Sequence, residues 1–379
     1  MKNPFYLHEV PVDAPFCDRE RELKDLSSYA RAKANVVLFS PRRYGKTSLV
    51  KRIQNRLTAG GAVTIYADFF GLASVEDAAA RLAKAAFGFS HGRRNLWKAT
   101  LKALASFRPV LKPDAEGGVT LTVEPATGLK GLSLLEETLS NLGRLARDTE
   151  KLIHVTFDEF QEIVVLKEAT QVEAIARSHL QRGDLGCFFV GSRRRLLLGI
   201  FNDQQRPFFQ SAINYALNPL PADDLVSFLI YQFDAGGAAC SKAAAERMAA
   251  ILSCHPYYTQ KLAFLMFEPG LTVTEDALAA GIAKLLSSEG PVFEAIILGL
   301  AAGQRMLLRA LAQQPTAQIL AGTYLQRYNL GSASSIQHAS RVLEEQDLIE
   351  KDSGSGLWHI VDPVFALWLR SQTEQVIKP

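Results

Sequence analysis

Much that would announce a function is missing from this sequence. Its four cysteines, Cys17, Cys187, Cys240 and Cys254, are scattered with no C-x-x-C pair, so neither a disulfide framework nor a cysteine-held metal is indicated. None of the seven histidines falls in a metal-binding pattern. The longest apolar stretch, residues 291–303, is broken by Glu294 and too short to span a bilayer. The first twenty residues carry charges and prolines but no long apolar run, against a secretory signal. A net charge of only +3 creates no bulk demand for a nucleic acid or a membrane. No repeat or low-complexity tract stands out. These absences leave a reduced, cytoplasmic protein with no membrane partner as the expectation.

What is present is the composition of a folded chain, 48% hydrophobic and 21% charged, and 379 residues suit two or three domains. Short apolar strands at 36–40, 63–69, 152–158, 187–191 and 215–217 alternate with amphipathic helical patterns. Such alternation predicts a parallel sheet covered on both faces. From Pro219 the strand signal gives way to Ala- and Leu-rich helices up to residue 302. The remainder reads as helices followed by a short hairpin around Ser353–Gly356, the outline of a winged helix-turn-helix. Three domains are therefore expected, at 1–218, 219–302 and 303–379. One insertion is unusual. Arg93, Arg94, Lys98, Lys102, Arg108 and Lys112 accumulate between Leu82 and Asp114 with no acid among them. The stretch reads either as a solvated helix face or as a surface for an acidic partner or a nucleic-acid backbone.

The stretch "VVLFSPRRYGKTSLVKR" carries the first chemistry. Gly45, Lys46 and Thr47 run from a β-branched strand into an amphipathic helix, as in a G-x-x-x-x-G-K-[ST] phosphate loop, with Ser40 at the first glycine position. Such a loop holds phosphates with backbone amides at a helix N-terminus, while the lysine supplies charge and the Ser/Thr hydroxyl reaches Mg²⁺. Ser40, Pro41, Arg42, Arg43, Tyr44, Gly45, Lys46, Thr47 and Ser48 are thus the candidate nucleotide-binding residues. A second signal is "KLIHVTFDEFQEI", an apolar strand ending in Asp158 and Glu159. An aspartate there can hold the Mg²⁺ shell with Thr47, and the glutamate can deprotonate an attacking water. A third strand, "LGCFFVGS", ends in Ser192, a candidate contact to the terminal phosphate. His154, inside the second of these strands, reads as packing.

Together these segments resemble the archaeal-type ATPases of the AAA+/STAND P-loop proteins. "FCDREREL" is similar to that family's F-x-G-R-E-x-E-L box, which implies that Phe16 and Arg19 lie near the adenine. "SPRRYGKTSL" resembles its loop and "FDEFQEI" its Walker B strand. "VGSRRRLLLGIFNDQQRPFF" is similar to its sensor strand and following helix. "CHPYYTQKLA" resembles the G-x-P element of its helical lid, which implies His255 and Pro256 as nucleotide contacts. "LWHIVDPVFALWLR" resembles its closing segment after a winged helix. Departures are clear. Asp18, Ser40 and Cys254 stand where the family has glycine, and Phe209-Gln210-Ser211 replaces an aromatic-Gly-Arg, removing that arginine. Arg206, in a neighbouring protomer's site, or the run Arg193-Arg194-Arg195 would then supply the cation, and turnover is expected to be slow.

The resemblance implies an α/β P-loop NTPase of the AAA+/ASCE type: a parallel-sheet core, a helical lid and a C-terminal winged helix-turn-helix. ATP, ADP and Mg²⁺ are the implied ligands, with Glu159, Lys46 and Arg206 as catalytic residues. The reading is an ATPase acting as a motor or switch; the alternative is a non-catalytic scaffold that binds nucleotide and acts through protein contacts. DNA, a protein partner and copies of the chain remain open as partners. From Gly303 onward seven basic residues balance seven acidic ones, so the expected winged helix is not electrostatically committed to DNA.

Overall fold

The computed structural model describes residues 3–113, 119–126, 128–352 and 354–377. The chain forms two compact units, one of Pro11–Ala14 with Arg19–Asn218, the other of Met1–Val10, Pro15–Asp18 and Pro219–Pro379. The sequence reading assigns all of 1–218 to one core, whereas 1–10 and 15–18 group with the second unit, which also takes both the expected lid and the winged helix.

In the first unit α1 (Glu20–Arg31) precedes β1 (Val36–Phe39), α2 (Lys46–Ala59), β2 (Val63–Asp68) and α3 (Val75–Ser90). An insertion of α4 (Arg94–Ala103), β3 (Phe107–Pro113) and β4 (Val119–Pro125) follows. Then come α5 (Gly131–Thr149), β5 (Ile153–Asp158), a 3₁₀ turn (Phe160–Val165), α6 (Ala169–Leu180), β6 (Leu185–Gly191), α7 (Arg194–Asn202) and β7 (Ile213–Ala216). Five strands pair in parallel in the order β2-β5-β6-β1-β7, so β6 stands between the loop-bearing β1 and the acid-bearing β5. The parallel sheet that the sequence resemblance implies is thus present. β1, β5 and β6 are buried along their whole length, as parallel strands covered by helices on both faces must be. His154 packs edge-on against Phe188 within this buried layer, and burial lowers its pKa to about 3, so it is neutral.

Beneath the end of β5, Phe157, Phe160, Phe189, Phe201 and Phe208 form one aromatic cluster. Each fully buried ring contributes roughly 1.5–3 kcal/mol, which makes the floor under the acids rigid. The β3–β4 hairpin, paired from Phe107↔Pro125 to Pro113↔Val119, is absent from the sequence reading. Its Pro109 and Pro113 argue against a strand locally, and a two-stranded ribbon is all edge, where proline is tolerated.

In the second unit α8 (Ala222–Ala235), α9 (Lys242–Ile251), α10 (Pro256–Met266) and α11 (Leu278–Leu298) form the lid region, with β8 (Ala239–Cys240) pairing β9 (Thr272–Val273). The winged helix follows as α12 (Ala302–Gln313), α13 (Gly322–Arg327), α14 (Ala333–Glu345), the hairpin β10 (Ile349–Lys351) and β11 (Trp358–Ile360), and α15 (Pro363–Ile377). Sequence periodicity extends a helix over 317–328, but α13 is half that length. Thr316 exchanges backbone hydrogen bonds with Trp358, at 2.7 and 3.3 Å, which fixes the preceding segment as an edge of the hairpin. Ser353 of the expected turn lies outside the described residues. Asp362 caps α15 through the amides of Val364 and Phe365 and accepts the Tyr258 hydroxyl from α10. No described helix is long and apolar enough to cross a membrane.

Candidate active site

Parallel strands present their carboxyl ends on one edge, and the polar residues of the sequence motifs collect there. After β1 the chain turns through Arg43 (φ 65°) and Gly45 (φ 84°) into the N-terminus of α2. Ser40 itself does not adopt a left-handed backbone, so the first position of the loop does not need glycine here. Its side chain is used instead. Lys46 Nζ donates to Ser40 Oγ at 3.1 Å and to the carbonyls of Ser40 and Pro41 at 2.9 and 2.8 Å. Burial pulls the Lys46 ammonium down to about 8, opposed by the carboxylates of Glu159 and Asp158 and assisted by Arg42. Lys46 and Ser48 are buried, whereas Arg42 and Arg43 are exposed.

Asp158 ends β5 and is 7% exposed. Thr47 Oγ1 donates to its Oδ2 at 3.2 Å, the Tyr66 hydroxyl donates to the same oxygen, and the Glu159 amide donates to Oδ1 at 3.0 Å. Burial pushes the Asp158 carboxyl up, and those hydrogen bonds hold it down against that push. Tyr66, pushed up by burial and by Asp158, stays a neutral donor. Sequence reading passes over Tyr66, because an aromatic residue in a strand is ordinary. The register that seats β2 beside β5, with Asp68 opposite Asp158, is what brings it to the site.

Glu159 has a left-handed backbone (φ 49°), and its Oε2 accepts hydrogen bonds from Ser192 Oγ at 3.0 Å and from Gln161 Nε2. The structure therefore brings Lys46, Thr47, Asp158, Glu159 and Ser192 together, and adds Tyr66 and Gln161. Arg194 lies with its guanidinium 5.5 Å from the ring of Phe39, the last residue before the loop.

Other expected residues have different surroundings. Arg206 is ion-paired with Glu173, which is fully buried, so its guanidinium anchors the 203–210 segment to α6. Service to a neighbouring protomer would require breaking that pair. Arg19 is buried, donating to Glu22 Oε1 at 2.7 Å and to the Asn218 carbonyl at 2.6 Å, which leaves little of it for a base. Phe16, His255 and Pro256 belong to the second unit. There His255 Nδ1 accepts the Tyr258 amide at 3.4 Å as the N-cap of α10, with Pro256 in its first turn.

The oxygens of Thr47 and Asp158 converge as hard donors of the kind Mg²⁺ takes. Among the described residues no group of three or more His, Cys, Asp or Glu side chains could hold a metal.

Residues 16–177 match the family described as an ATPase domain predominantly from Archaea, and residues 291–371 the family described as probable winged helix domain. In fold the chain is similar to the Walker-type ATPase PABY2304 of Pyrococcus abyssi, at 17% identity and a TM-score of 0.67, covering 94% of this chain and 96% of that one. It is also similar to the ORC2 protein of Aeropyrum pernix, solved in ADPNP–ADP complexes, at 13% identity and a TM-score of 0.57, covering 97% and 98%. No curated protein matches the chain. The chain thus combines an archaeal-type ATPase domain with a C-terminal winged helix domain.

Proposed function

We propose that this chain, an archaeal-type ATPase domain joined to a winged helix domain, binds ATP with Mg²⁺ and hydrolyses it slowly as the cycle of a molecular switch. One observation carries the reading: Lys46, Thr47, Asp158 and Glu159 converge on one edge of the sheet through direct hydrogen bonds and close charge interactions. Lys46 and the amides that open α2 bind the β- and γ-phosphates. Thr47 and Asp158 are the residues that would hold Mg²⁺, which neutralises phosphate charge when bound. Glu159 takes a proton from water as the water oxygen bonds to the γ-phosphorus. The bond from that phosphorus to the bridging oxygen breaks, and ADP and phosphate leave. We assign the developing charge to Arg194, which lies beside Phe39 at the start of the loop, rather than to Arg206, which is paired with Glu173. Phosphate release and fluorescent-nucleotide binding test the reading: Lys46→Ala loses affinity, and equal binding by that variant and wild type would sink it. Tight binding with no release by wild type would instead support the non-catalytic scaffold.

For a polyanionic partner, DNA is the reading that charge placement supports, and through α4 rather than α14. Arg94, Lys98 and Lys102 recur every four residues, are exposed, and have no ion pair among the described residues. On α14 the one arginine, Arg341, is paired with Glu345 at 3.3 Å. Neutralising the three α4 cations should lower the log–log salt slope of duplex binding by about 0.9 for each phosphate left without its cation. An unchanged slope places the DNA on another surface. The four free thiols agree with a cytoplasmic setting.

A further inference from the structure

Glu159 is held by a device that the sequence motifs do not describe. Ser192 and Gln161 both donate to its Oε2, and no hydrogen bond among the described residues reaches its Oε1. A carboxylate only accepts, so the Gln161 amide must present its NH₂ to Glu159 and turn its own oxygen away. That oxygen is buried and has no hydrogen-bond partner among the described residues. It occupies the space where a side chain on Gly191 would begin, since a Cβ there would collide with Gln161 Oε1 and would stand 3.0 Å from Leu197 Cδ2. Gly191 has no positive φ, so the backbone does not require glycine. The amide does. An unpaired buried oxygen and a left-handed Glu159 are both unfavourable, and both surround one carboxylate; such costs gather where geometry serves function.

We propose that Gln161 is a positioning residue for hydrolysis. With Ser192 it fixes one carboxylate oxygen of Glu159 and so presents the other, Oε1, to the water, while Gly191 is the seat of the Gln161 amide. This rests on Glu159 being the base. The side chain is aimed rather than merely packed: two donors on one oxygen set the rotation of the carboxylate, and the floor of aromatic rings under Phe160 fixes the turn that carries them.

Gln161→Glu tests the donor separately from the shape, because the side chain keeps its size but loses its NH₂. The expected result is a fall in kcat of ~100-fold, the scale of a small misplacement of a reacting group, with KM and fluorescent-nucleotide affinity unchanged. Gly191→Ala should lower kcat similarly by displacing the amide, and should add little in a Gln161→Ala background, where the space is empty. Wild-type kcat in Gln161→Glu would overturn the proposal. So would parallel loss of kcat, affinity and Tm, which would mark a purely structural residue, or additive effects of Gly191→Ala and Gln161→Ala. A wild-type protein that releases no phosphate defeats the ATPase reading itself, and is distinguished by failing before any variant is compared.

Discussion

Both units of the molecule bury polar side chains, but in opposite ways. In the second unit two pairs of buried groups are matched across elements. Tyr258 donates to Asp362, and Lys261 is ion-paired with Glu289, each bond joining two helices. Burial pushes the Asp362 carboxyl up, and its tyrosine and backbone donors offset part of that push. At the sheet edge of the first unit the groups converge instead of pairing. Three donors meet on Asp158 and two on one oxygen of Glu159; Lys46 donates to three uncharged oxygens; Gln161 leaves an oxygen unused. Matched pairs fasten a fold. A converging, incompletely satisfied set is arranged around something that arrives later.

The sharpest way to break this contrast is to unmatch a pair. Lys261→Ala removes the buried Lys261–Glu289 ion pair and should cost about 3 kcal/mol in urea unfolding while nucleotide affinity stays unchanged. Arg206→Ala should do the same through Glu173. Its turnover per folded chain should stay near wild type; a loss of turnover that mixing with Lys46→Ala partly restores would show that Arg206 serves another protomer after all.

Next in size, Glu159→Gln removes a member of the converging set. It should keep ATP yet release phosphate at least ~100-fold more slowly, equivalent to about 2.7 kcal/mol of barrier, with little change in stability. Equal turnover by variant and wild type would remove Glu159 from its role.

A smaller effect concerns protons. Burial lowers the Lys46 pKa to about 8, so above that pH the loop holds a neutral amine, and phosphate must restore its charge. Affinity should fall as pH rises through about 8, and binding at about pH 8.5 should take up a proton, read by calorimetry in buffers of different ionisation heat. The same shift makes the unfolded chain bind more protons than the folded one between the two lysine pKa values, so this group's contribution to stability rises with pH there.

The smallest effect lies in the second unit. Cys254 has φ 53°, a backbone that costs a side chain roughly 1–2 kcal/mol, offset by glycine's extra entropy of roughly 0.5–1 kcal/mol. Cys254→Gly should therefore raise stability slightly, by up to about 1 kcal/mol, measurable as a small rise in Tm.

That position shows how much was legible in the sequence. Three residues that replace the resembled family's glycines, Asp18, Gln210 and Cys254, have positive φ, whereas the fourth, Ser40, does not. At those three positions this chain takes the left-handed backbone that glycine favours although the residue is not glycine, and the resemblance read through the change. The loop, the acid pair and the order of core strands were readable because each has a local signature of apolar strand followed by polar turn. Tyr66 was not, because its role depends on register between strands separated by some ninety residues. Gln161 was hidden by its own neighbour: beside two acids an amide attracts no notice, and its partner Gly191 looks like any strand end. The β3–β4 hairpin escaped because Arg108, Lys112 and its prolines obscure an alternation that only pairing reveals.

The division of the chain has a consequence for any attempt to cut it. Phe5 rests edge-on against Phe233, 4.9 Å between ring centroids, and Cys17 lies in the same core, although both come before α1 in sequence. The polypeptide passes from one unit to the other after residues 10, 14, 18 and 218. A fragment cut at residue 219 would therefore lack pieces of this unit's core, which lie in segments 1–10 and 15–18. Such a fragment should fold only when residues 1–18 are supplied to it, read as the helical signal gained on mixing.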